Sequence, residues 1–156
     1  MKTSLIVWGI VMLIVFSGAQ WLLANKLLAE AWIWVVLAII IVVANFLVGR
    51  TMKKMPKGTE TMWLAVSVFG FITTLAVAFG VVPVPLWWLM SLWLLLIGGA
   101  VAIGGHVGNN ALNMFMGLVM LFASVFVSGF GNSYLLAGSL FFGFLAVVHG
   151  YFFGEE

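Results

Sequence analysis

Cysteine and aspartate are both absent from this chain, and charged residues make up only 6% of it. The first absence excludes disulfides, thiolate nucleophiles and thiolate-ligated metals. The third excludes a water-soluble domain, in which about a quarter of residues are charged. Four glutamates carry all the acid: Glu30, Glu60, Glu155 and Glu156. From Thr61 to Gly154 no side chain is charged. Proton pumps, ion-coupled carriers and most membrane enzymes place a carboxylate or a base within the membrane. Their chemistry is therefore not expected here, and no catalytic residue is assigned.

What the chain has instead is hydrocarbon, 65% of its 156 residues. A helix needs about 20 apolar residues to cross a bilayer. On that measure the sequence predicts an all-α, polytopic membrane protein, one domain over 1–156. Six transmembrane helices are expected, at about 4–24, 31–49, 62–81, 86–105, 110–129 and 133–153. The start, Met1-Lys2-Thr3 and an apolar run to Ala19, imitates a signal peptide. The apolar run continues through Trp21-Leu22-Leu23-Ala24, so a retained first span is expected.

Four of the six basic residues lie in one stretch: Arg50, Lys53, Lys54 and Lys57. This stretch cannot sit in hydrocarbon, and the positive-inside bias places it on the cytoplasmic face of the cell membrane. An even number of crossings separates it from Lys2, so both termini are expected to be cytoplasmic. The net charge of +2 then reflects orientation and not nucleic-acid affinity. Trp21, Trp32, Trp87, Trp88 and Tyr134 fall near the predicted outer ends as an aromatic belt, with Trp63 at the inner interface. Trp8 and Trp93 lie deeper.

The spans pair as three consecutive hairpins, each ending on glycine. Small residues recur at every fourth position in Ala100, Gly104 and Gly108, and again in Ala146, Gly150 and Gly154. In lipid such faces allow close helix packing, within one chain or in a homo-oligomer.

Few residues are left for chemistry. Gln20, Asn45, Thr73 and Thr74 lie within spans, either lining a polar pathway for a small solute or hydrogen-bonding between helices. His106 and His149 both fall near predicted cytoplasmic helix ends, as interfacial caps, a gating pair or axial ligands of a haem. A protein metal site needs three or four ligands, which this set does not supply. Asn109, Asn110, Asn113 and Asn132 suit turns and helix starts. The Phe run of the last two helices and Met114, Met116 and Met120 suit lipid contact and packing.

The three hairpins, the basic loop after the second helix and the glycine-rich last helix ending Gly154-Glu155-Glu156 resemble the acetate-uptake transporter family. More distantly they resemble the urea and amide channels and the three-hairpin acid-resistance membrane proteins. The first two likenesses imply an oligomeric channel or carrier for small solutes, with six helices around a narrow pore in each protomer. The acetate family's Asn-Pro-Ala-Pro-Leu-Gly motif is replaced by Ser4-Leu5-Ile6-Val7-Trp8-Gly9, and no functional residue is carried over. The leading expectation is a channel or facilitator for a small uncharged or weakly acidic solute. A structural or accessory subunit of a membrane complex is the alternative, and a haem-binding redox subunit using His106 and His149 is the third reading.

Overall fold

A computed structural model describes residues 2–51 and 58–153. Lys53, Lys54, Lys57 and Gly154 lie outside the described residues. The described chain is helical, with no strand. The helices are α1 (Lys2–Ala24), α2 (Glu30–Thr51), α3 (Thr59–Ala78), α4 (Trp88–Val107), α5 (Ala111–Val125) and α6 (Leu135–Phe153). Five of them are long and apolar enough to cross a membrane. A sixth span results if α5 and the 3₁₀ segment Val127–Ser133, bent 68° from it, are counted together.

The helix ends are set by backbone chemistry that apolar length does not report. Lys26, Gly80 and Asn109 all adopt positive φ (52°, 75° and 51°) just beyond α1, α3 and α4. In each case the amide of this residue and the next bond back to the last turn. Gly80 and Val81 donate to Val77 and Ala76, and Asn109 and Asn110 donate to His106 and Gly105. Lys26 and Leu27 donate to Leu23 and Leu22 in the same way. This left-handed cap satisfies carbonyls that the helix itself leaves without partners. It explains why α3 stops at Ala78, well before Pro83, instead of running to 81.

α5 also stops early. The amide of Phe126 bonds to Ala123 in a 3₁₀ turn, and the Ser124 hydroxyl takes the Leu121 carbonyl at 2.6 Å. At 1.5 Å per residue, 15 residues cover about 22 Å, short of the ~30 Å hydrocarbon core. The 3₁₀ segment that follows turns aside by 68°. α6 relaxes into a π-helical stretch at Ser139–Phe144, where Ser139 meets the Ser17 hydroxyl at 2.9 Å.

The closest pairings run between the expected hairpins and not within them. α4 packs most extensively on α5, and α1 packs along the length of α6. α5 and α6, although consecutive, touch little, and His149 Nε2 on α6 donates to Asn113 Oδ1 on α5. Both close pairings depend on glycine. A Cβ on Gly117 would lie 2.5 Å from the Gly98 carbonyl oxygen and 2.6 Å from the Ala102 Cα. One on Gly143 would lie 2.7 Å from the Leu13 Cα, and one on Gly9 would lie 2.8 Å from the Gly143 carbonyl oxygen. The expected stripe is placed differently. Ala100 is buried, but Gly104 has open space around its Cβ position and Gly108 is exposed at the turn. The surface that meets α5 is a different face of the helix, on Gly98, Ala102 and Gly105. In α6, Ala146 and Gly150 are buried.

Large side chains fill the space between the helices. Trp34, Trp93, Phe16, Phe142, Met12, Leu37, Ile41, Leu94 and Ile97 are all completely or almost completely buried. The outward faces carry Ile14, Leu64, Ile72, Phe115, Phe122, Phe152 and many other exposed apolar residues. A helix bundle that is apolar outside as well as inside is suited to a bilayer and not to water.

Candidate functional site

Two polar side chains inside the bundle accept a hydrogen bond from a tryptophan indole. The Trp8 indole donates to Asn45 Oδ1 at 3.1 Å, and the Asn45 amide donates to the Ser67 hydroxyl at 3.3 Å. The Trp93 indole donates to Thr74 Oγ1 at 3.0 Å, and that hydroxyl donates to the Gly70 carbonyl at 2.7 Å. Gly70 leaves room for the Trp93 ring, whose Cη2 would be 2.6 Å from any Cβ there. Two of the expected pathway residues, Asn45 and Thr74, are thus bonded into pairs on different helices. Thr73 is half-buried beside Thr74, and the four residues form no continuous polar file.

Gln20 is the exception. Its amide donates to the Asn132 carbonyl at 3.0 Å, but its Oε1 is buried without a partner. Asn132 belongs to the 3₁₀ segment Val127–Ser133, and it opens onto a basin with polar and apolar walls. This basin has a volume of about 400 Å³ and is lined by Glu30, Pro85, Leu86, Trp87, Ser128, Gly131, Asn132 and Tyr134. Its walls come from all three turns expected on the outer side, so those turns share one end of the bundle.

Glu30, at the start of α2, is well placed for a carboxylate against the helix dipole. Its Oε1 accepts from the Tyr134 hydroxyl at 2.5 Å, and that hydroxyl accepts from the Trp34 indole at 2.9 Å. Burial, reinforced by the Glu30 carboxylate, pushes the Tyr134 phenol far above its ordinary range. Tyr134 therefore stays a neutral donor and fixes the carboxylate in place. It is almost fully buried, whereas Trp21, Trp32 and Trp87 are exposed. No cation pairs with Glu30 among the described residues.

At the other end, the two histidines differ. His106 is exposed in the last turn of α4. His149 is buried, with Nε2 against Asn113 Oδ1 at 2.7 Å and Nδ1 buried without a partner. Asn110, the residue that caps α5, accepts from the Asn113 amide at 3.0 Å. Asn113 is thus placed by the cap and spends its own side chain on His149. Arg50 lies at this end too, its guanidinium 4.6 Å from the centre of the Phe46 ring.

Sequence reasoning missed Glu30, Tyr134 and Trp34 as a unit. One signal for it existed: Glu30 is the only carboxylate among the three turns expected outside. Comparisons of the chain with family models, curated proteins and solved structures find no match.

Proposed function

We propose that the chain is a six-span protein of the cell membrane, with both termini cytoplasmic, that acts as an accessory or structural subunit without a conduction path of its own. In this topology the bent α5 unit is the fifth span. The basic stretch from Arg50 to Lys57 lies inside and the Glu30 basin outside. The observation that carries the reading is the filled bundle interior. Trp34, Trp93, Phe16 and Phe142 occupy it at no measurable exposure, and Asn45 and Thr74 are committed to indole donors. A solute crossing a protomer would have to displace these rings and strip their partners.

The facilitator reading, and the layout it shares with small-solute channels, has one observation in its favour: the outer basin, which would serve as a vestibule. A haem between His106 and His149 gains no comparable support, since one ring is exposed and Nε2 of the other is bonded to Asn113. Stopped-flow light scattering on proteoliposomes challenged with urea, glycerol, ammonia and acetate separates the first two. The accessory reading predicts rates equal to those of empty liposomes for every solute. A faster rate for any one of them would overturn it in favour of the facilitator.

A further inference from the structure

We propose that the basin at the Glu30 end is a binding site for a small organic cation, an alkylammonium or guanidinium group carried on a short apolar body. The basin holds one carboxylate, and no cation among the described residues neutralises it. A carboxylate partly withdrawn from water and left without a counter-ion favours a positively charged guest.

The carboxylate is also presented by a built support. The Trp34 indole bonds to the Tyr134 hydroxyl and that hydroxyl bonds to Glu30 Oε1, so the carboxylate is held before any ligand arrives. Support of this kind limits the ordering cost of binding. It also commits one oxygen, which leaves Oε2 for the guest.

The remaining walls match the rest of such a ligand. Pro85, Leu86 and Trp87 offer an apolar and aromatic side, and an indole face attracts ammonium and guanidinium groups. Ser128 and Asn132 add polar groups that can accept from such a guest. Behind this wall the Gln20 amide holds the Asn132 carbonyl at 3.0 Å, while its own Oε1 is buried without a donor. The volume of about 400 Å³ lies in the lower part of the range of small-molecule sites. An anion would meet Glu30 directly, and a neutral solute would leave the carboxylate unpaired.

The test is titration calorimetry on the purified full-length protein, using guanidinium and ethylammonium as probes. Urea serves as the neutral, near-isosteric comparator of guanidinium, and acetate as the anion. The expected result is saturable binding of both cations, at least tenfold tighter than urea and acetate, on the unaltered protein. Glu30→Gln, which can still accept from Tyr134, is expected to remove this preference. Trp87→Leu should weaken ethylammonium severalfold and leave the fold intact. Binding of urea as tight as that of guanidinium would overturn the proposal. So would cation binding unchanged in Glu30→Gln, or no saturable binding of either cation. None of these outcomes depends on whether the protein conducts solutes.

Discussion

The interior of this bundle and its Glu30 end are built from the same residue types, yet they end in opposite states. In the interior, each indole meets one acceptor: Trp8 with Asn45, and Trp93 with Thr74. The space around these pairs is filled by leucine, isoleucine and phenylalanine. At the Glu30 end an indole again meets an acceptor, Trp34 with Tyr134. There the chain continues to a carboxylate that opens on a basin, and Gln20 keeps an oxygen without a donor. The difference arises from α5. Because it stops at Val125 and its continuation turns aside by 68°, that corner of the bundle is closed by a thin 3₁₀ segment instead of a full helical turn. Polar groups can be paired and sealed where helices run their full length. They remain open where one helix falls short.

The comparison can be broken most forcefully in the interior. Trp93→Ala would remove a fully buried ring lodged against Gly70, at a cost of about 3–5 kcal/mol, read by denaturant unfolding in mixed micelles. A loss below 1 kcal/mol would mean the interior is not tightly packed. Next comes the α4–α5 contact. Gly117→Ala forces a methyl into the backbone of Gly98 and Ala102, and about 1–3 kcal/mol is expected to be lost. Gly104→Ala, on a face of α4 with open space around it, should be neutral or gain about 0.5–1 kcal/mol from helix propensity. Equal effects at the two positions would remove the distinction between them.

Tyr134 sharpens the comparison at the other end. Its phenol is raised by burial and by Glu30, so its contribution to stability is fully present below the unfolded value of about 10 and is lost as pH climbs beyond it. In a Tyr151→Phe background, phenolate absorbance should therefore appear only together with unfolding. A phenolate signal near pH 10 from a still-folded protein would contradict the buried Tyr134–Glu30 pair. Tyr134→Phe leaves the Trp34 indole unpartnered, for a loss of about 1–3 kcal/mol in the same micelle assay.

The helical class and the approximate spans were legible in the sequence, because bilayer thickness sets a length that apolar runs must match. The helix ends were less legible. Lys26 and Asn109 are not the glycines expected at left-handed caps, and Gly80 stood in an apolar stretch next to a more conspicuous Pro83. The close-packed face of α4 was read on the wrong side of the helix, since Gly98, Ala102 and Gly105 are as small as Ala100, Gly104 and Gly108. Spacing alone does not tell which of two small stripes meets a neighbour. The basin was not legible at all. It depends on α5 ending at Val125, and that end rests on a serine hydroxyl and a 3₁₀ amide with no signature in hydropathy. The pairing of Asn45 with Trp8 and of Thr74 with Trp93 was expected only as interhelical bonding in general, because sequence does not say which spans are neighbours.

The most direct test of the closed interior uses the natural absence of cysteine. Leu94→Cys, at a fully buried position in α4, and Ser128→Cys, at the rim of the basin, would each be exposed in proteoliposomes to a membrane-impermeant thiol reagent. The closed interior predicts rapid labelling at position 128 and none at position 94 until the protein is denatured. Labelling at position 94 at a rate comparable with 128 in the folded protein would mean that water reaches the bundle centre, and would contradict it.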